Sequence, residues 1–320
     1  MDAMDPSVGC IGLYCGRTKL DEYNYSDCGS CLRGFRVDGN GVCVECVERP
    51  EFYDWLYITF MAFILVIIEW YLTEECVKRR QLTVDVLVLH SVVLVENTLS
   101  LVISLLVTEP FGSLQLNTCP PKRLSDFYTF FFNPSPDYKT TIYCTQEAVF
   151  PLYSMIFIFY AISLLLLLCR PLYLRLMSLV LRLLSSNDFL HDLLNDSNIT
   201  KTIYLTLYVI PGLSFIHALF CGLIYYSFPY IIIIGSIISV AIHMASQLDQ
   251  RPSKLLKSLF QKKNCLIIVC HWFVHMYGII SLTQLKNPTL HLPLLCLAPI
   301  PTFFYILTAK FTDPNKLHVE

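Results

Sequence analysis

Charged side chains are scarce in this chain, 15% of its 320 residues, where a soluble globular domain carries roughly 25%. The formal net charge of -2 leaves no basic field to neutralise phosphates, which argues against nucleic acid as a partner. A cleavable signal peptide is not expected, because the apolar residues Val8 to Leu13 are too short and interrupted for its core. The first long apolar run is therefore expected to target the chain. There is no HExxH, no repeated carboxylate–His pattern of a di-iron bundle and no inverted repeat of the kind secondary transporters carry.

What the chain has in abundance is apolar length, with 55% hydrophobic residues. A bilayer core needs roughly 20 apolar residues per spanning helix. Seven runs qualify or come close: Trp55–Thr73, Leu82–Val107, Ala148–Cys169, Thr202–Tyr226, Pro229–Gln247, Cys265–Leu282 and Leu292–Ala309. The expected fold is an all-α membrane protein: a small head over residues 1–54, a seven-helix transmembrane domain over 55–309 and a tail over 310–320. Pro211 and Gly212 are expected to kink the fourth span, and Phe228-Pro229 to turn into the fifth. Pro293, Pro299 and Pro301 should break up the last, where neighbouring helices must satisfy the freed carbonyls.

Orientation is read from Lys and Arg beside the spans. Lys78, Arg79 and Arg80 follow the first span, and Arg170, Arg175, Arg182 and Lys201 the third. Arg251, Lys254, Lys257, Lys262 and Lys263 follow the fifth, and Lys310 and Lys316 the seventh. These segments share one side and hold 14 of the 23 basic residues; five of the other nine sit in the long head, where the rule counts little beyond about 15–20 residues from a span. The basic side is cytosolic, so the head is expected in a lumenal or extracellular space and the tail in the cytosol.

The head holds Cys10, Cys15, Cys28, Cys31, Cys43 and Cys46, with two CxxC pairs across an 11-residue gap. In a reducing compartment that spacing suits tetrahedral zinc. The expected orientation places it in an oxidising one, where disulfides are the reading, and a head this short needs such staples. Spacing does not choose among the connectivities. Catalytic thiol exchange is disfavoured, because no thioredoxin-like βαβ pattern surrounds either pair. Cys119 and Cys144, in the second loop on that side, pair with each other or stay free. Asn24-Tyr25-Ser26 is a sequon expected to carry sugar, whereas the sequons at Asn195 and Asn198 fall on the cytosolic side.

On the cytosolic face, Arg175, Ser178, Arg182 and Ser185 recur along one stripe of the Leu-rich segment Pro171–Ser185. This is expected to be an interfacial amphipathic helix, with packing against neighbouring helices as the alternative. The loop Arg251 to Lys263 is the most basic stretch; it anchors orientation against anionic lipid or offers a docking surface. Lys78-Arg79-Arg80-Gln81-Leu82-Thr83-Val84 resembles a mitogen-activated kinase docking motif, though Leu82 and Val84 enter the second span.

Ionisable residues inside spans carry a functional expectation, because a carboxylate at a helix centre costs about 2.5–3.5 kcal/mol. Glu69, Asp85, His90, Glu96, His217, His243, His271 and His275 fall within or at the edges of spans. Glu96, beside Asn97, is the most expensive, and His271 and His275 share a face of the sixth span. Interhelical hydrogen bonding is one role for these three candidates; transport, reception or intramembrane catalysis is the other. No catalytic, cofactor or metal residues are assigned.

Several blocks carry a resemblance. They are Cys10-Ile11-Gly12-Leu13-Tyr14-Cys15-Gly16, Glu51-Phe52-Tyr53-Asp54-Trp55-Leu56-Tyr57, Asn133-Pro134-Ser135-Pro136-Asp137-Tyr138, Cys144-Thr145-Gln146-Glu147-Ala148-Val149, His271-Trp272 with His275 to Ser281, and Thr308-Ala309-Lys310-Phe311-Thr312. In this order they resemble the Jun N-terminal kinase-associated membrane protein family, nearly end to end. The resemblance implies a non-enzymatic, multi-pass protein of the endoplasmic reticulum. It implies an adaptor that recruits proteasomes, ubiquitin ligases and other degradation components during folding stress, and that binds the stress kinase.

Overall fold

The computed structural model describes residues 9–21, 24–77, 84–134, 142–184, 197–247 and 249–312. The docking-like cluster Lys78, Arg79 and Arg80, the sequon at Asn195 and the end of the tail lie outside the described residues. The chain forms two compact units, Met1–Ile224 and Tyr225–Glu320.

The first unit begins with an extramembrane lobe. A short antiparallel hairpin pairs β1 (Phe35–Val37) with β2 (Cys43–Glu45). Its turn is closed by Asp38, whose carboxylate accepts from the backbone N–H of Asn40 at 2.8 Å and of Val42 at 2.9 Å, and Gly41 supplies the positive φ. The chain then enters α1 (Phe52–Val77), where buried Asp54 accepts from the Glu51 N–H at 2.9 Å and caps the helix. Helix α2 (Val84–Val107) packs against α1 and against α3 (Ser154–Leu184). On α2 the hydroxyls of Ser100, Ser104 and Thr108 each return to the carbonyl four residues back. These fully buried polar groups are thereby satisfied within their own helix.

Helix α4 (Ser197–Ala245) begins in the first unit and ends in the second. The second unit continues with α5 (Pro252–Ser258), α6 (Lys262–Thr283), α7 (Pro288–Leu294) and α8 (Ile300–Thr312). Its core gathers Val240, Met244, Leu255, Ile268, Ile306 and Ala309. Gly278 marks a close approach of α6 to α4: a Cβ there would stand 2.7 Å from Ile233 Cγ1.

Among the described residues six apolar segments are long enough to cross a membrane: Phe52–Cys76, Leu89–Val107, Ser154–Arg175, Thr200–Ala245, Asn264–Thr283 and Pro288–Ala309. The protein is an all-α membrane protein. Each of the seven expected runs overlaps one of these segments, but two details differ. The fourth and fifth runs share α4, so the expected turn at Phe228-Pro229 is helical. Its apolar part runs for 46 residues, where one bilayer core takes roughly 20. Pro229 does not end it, in keeping with the tolerance of apolar helices for proline where neighbours satisfy the freed backbone. The segment Pro171–Ser185 is no separate interfacial helix: up to Leu184 it continues α3, with Pro171 inside. The last run is interrupted as expected, passing from α7 through a 3-10 turn, Leu295–Leu297, into α8.

Candidate functional site

The eight candidate cysteines of the lobe form four disulfides: Cys10–Cys28, Cys31–Cys43, Cys15–Cys144 and Cys46–Cys119. Neither CxxC closes on itself, and Cys119 and Cys144 pair with the head, not with each other. The head and the second loop are therefore one covalent body in one compartment. Asp126 fastens the same joint without sulfur. Its carboxylate accepts from the Tyr14 hydroxyl at 2.8 Å, from Arg36 at 3.1 Å and from the backbone N–H groups of Lys122 and Arg123. Burial beside this carboxylate pushes the Tyr14 phenol up to about 12. Asn24 lies exposed on the lobe.

Inside the helices the structure brings Glu96 together with two residues from other spans. Arg170 Nε donates to both Glu96 oxygens, at 2.8 and 3.0 Å, and its Nη2 reaches Glu69 at 2.8 Å and Glu96. Asn97 donates to the Val93 carbonyl at 2.9 Å and to Glu69 at 3.4 Å. Arg170 and Glu69 are each 2% exposed. Arg170, counted in the sequence among the cytosolic charges, is thus an intramembrane counter-charge. Thirteen basic residues still stand against nine without it. Charge balance was the available signal: two acids in apolar runs need a cation, and Arg170 ends the next run.

His271 and His275 belong to the second unit. They form a polar seam between α4 and α6, where Ser236 Oγ lies 2.6 Å from His275 Nδ1 and Ser239 Oγ 2.8 Å from His271 Nε2. His271 Nδ1 faces the Ile267 carbonyl at 2.7 Å, and its ring stacks on His243 at 5.9 Å between centroids. Asn264 donates to Gln247 at 3.2 Å, extending the seam along the same helices. Among the described residues no group of three or more His, Cys, Asp or Glu is placed to hold a metal ion.

The basic segment is built around α5. Leu255 points into the core while Arg251, Lys254, Lys257 and Lys262 are exposed, together with Leu256 and Phe260. The side chain of Lys263 is outside the described set. Arg251 grips Asp249 through its Nε, at 3.0 and 3.1 Å, and holds that carboxyl down to about 2.

Residues 10–314 match the family described as JNK1/MAPK8-associated membrane protein. The chain belongs to this family. It is 39% identical over 323 residues to the JNK1/MAPK8-associated membrane proteins of Mus musculus and of Homo sapiens, covering 99% of this chain and 98% of each relative. The JNK1/MAPK8-associated membrane protein homolog of Caenorhabditis elegans is 28% identical over 324 residues, covering 96% of this chain and 94% of the relative. No solved structure matches.

Proposed function

We propose that this protein is a non-enzymatic adaptor of the endoplasmic reticulum membrane that binds a Jun N-terminal kinase. On this reading it also gathers proteasomes, ubiquitin ligases and other degradation components during folding stress. The observation that carries the reading is the near end-to-end match to relatives whose names record association with JNK1. Four disulfides across head and second loop support an oxidising space for the lobe. The Lys and Arg residues beside the apolar runs support the cytosol for the basic segment and the tail. Glu96, His271 and His275 have side-chain partners within their own units, which supports packing over transport.

The docking surface for the kinase is Arg251, Lys254, Lys257, Lys262 and Lys263 with Leu256 and Phe260, where cations attract an acidic groove and the apolar pair fills pockets. The test is co-purification of kinase and proteasome subunits from gently solubilised membranes. Reversing the charges at 251, 254, 257 and 262 should release the kinase while the four disulfides still form. Unchanged recovery of both partners would remove this surface from the account. Sugar on Asn24 and protease protection of the head in sealed microsomes check the orientation.

A further inference from the structure

Exposed apolar side chains in the first unit are not confined to the spans. In the second loop Phe111 is 72% exposed, Phe131 70%, Leu114 60% and Phe130 52%. The rings of Phe130 and Phe131 lie 3.7 Å apart. A loop in water would have to keep this aromatic pair wet.

The loop's position says what covers it. Leu124, Phe127 and Tyr128 crowd Gly222 so closely that a Cβ there would stand 2.9–3.0 Å from them. Gly222 lies inside the apolar segment Thr200–Ala245. Its depth follows from His217, five residues earlier, whose ring lies 3.4 Å from the Tyr57 hydroxyl of α1 and 3.0 Å from the carbonyl of Tyr153, at the entry to α3. These contacts set His217 where the apolar segments Phe52–Cys76 and Ser154–Arg175 begin, and Gly222 follows about one turn further along α4. Two exposed cations, Lys122 and Arg123, stand immediately before Leu124.

We propose that this loop is seated in the leaflet adjoining the lobe, with Phe111, Leu114, Phe130 and Phe131 among the upper acyl chains. Lys122 and Arg123 lie against lipid phosphates. The arrangement is that of an interfacial segment, apolar on one side and basic beside it. It goes beyond the adaptor reading and holds whichever compartment the lobe occupies.

The full chain, reconstituted in nanodiscs of phosphatidylcholine and phosphatidylglycerol with a lipid bearing a photoreactive diazirine on its acyl chain, gives the test. After illumination, mass spectrometry should find lipid adducts on peptides holding Phe111 to Leu114 and Phe130 to Phe131, as on Tyr204 and Tyr208 of α4. Leu20, also exposed but beside Asn24, should stay clean. In F130S/F131S the labelling at that peptide should be lost while Cys15–Cys144 and Cys46–Cys119 still form on a non-reducing gel. Labelled α4 with an unlabelled wild-type loop would overturn the proposal, and that comparison needs no variant. So would capture of a protein, not lipid, at Phe130 and Phe131 in native membranes.

Discussion

Arg170 Nε lies within 3.0 Å of both carboxylate oxygens of Glu96, in a site where neither residue is more than 7% exposed. A pair so buried is costly to make and costlier to break, because removing one partner strands the other charge. R170M should therefore lower stability by about 3–5 kcal/mol, read as a fall in the thermal midpoint of detergent-purified protein. E69L/E96L/R170M should recover part of that loss. A triple variant less stable than R170M would contradict this account.

The Cys15–Cys144 bridge spans 129 residues, and closing a loop of that size is worth about 5 kcal/mol in the chain-entropy picture. C15S and C144S should be equally destabilised, and C15S/C144S no worse than either. Limited proteolysis of the lobe checks this. A double variant clearly weaker than both would mean that each cysteine has a separate role.

Glu147 gives the lobe a pH dependence of definite sign. Burial raises its carboxyl above the ordinary 4.5, opposed by hydrogen bonds from Ser154 and the charge of Arg33. The Ser154 N–H donates to it at 2.7 Å. The folded state therefore holds this proton more tightly than the unfolded chain. Its contribution is present below the ordinary glutamate value and lost as pH rises through the raised one. The wild-type thermal midpoint should decline from acid toward neutral pH more steeply than that of E147Q, which keeps the acceptor. Parallel profiles would exclude this group as the cause.

Gly278 and Gly212 should respond oppositely to an added side chain. A Cβ at Gly278 meets Ile233 at 2.7 Å, whereas Gly212 has nothing within 4 Å. G278V should cost about 1–3 kcal/mol through overpacking and separate Ser239 from His271. G212A should be neutral or stabilising. Thermal midpoints of the two variants decide it.

The spans were legible because apolar length has one physical meaning in a chain so poor in charge. Their limits were less so. Pro229 reads as a breaker by its missing donor, yet the helix runs through it, and only neighbouring packing settles which outcome holds. Pro171 misled in the same way, reading as a helix start where α3 simply continues. Arg170 looked like a boundary marker because the signal counts charges near an apolar end without asking what faces them. The cysteines announced cross-linking but not partners: Cys15 and Cys144 meet only because two spans lie between them and return the chain to the same side. The seam of Ser236 and Ser239 with His275 and His271 was half visible, since the histidines stood out and the serines did not.

The two long bridges also impose an order of events on biosynthesis. Cys15 and Cys46 emerge early, but their partners are 129 and 73 residues away, beyond two apolar helices. The native bridges of Cys15 and Cys46 cannot close until α1 and α2 are inserted and the following loop arrives on the same side. Closure of the two long bridges thus depends on threading of the first half of the protein, whereas Cys10–Cys28 and Cys31–Cys43 can close within the head alone.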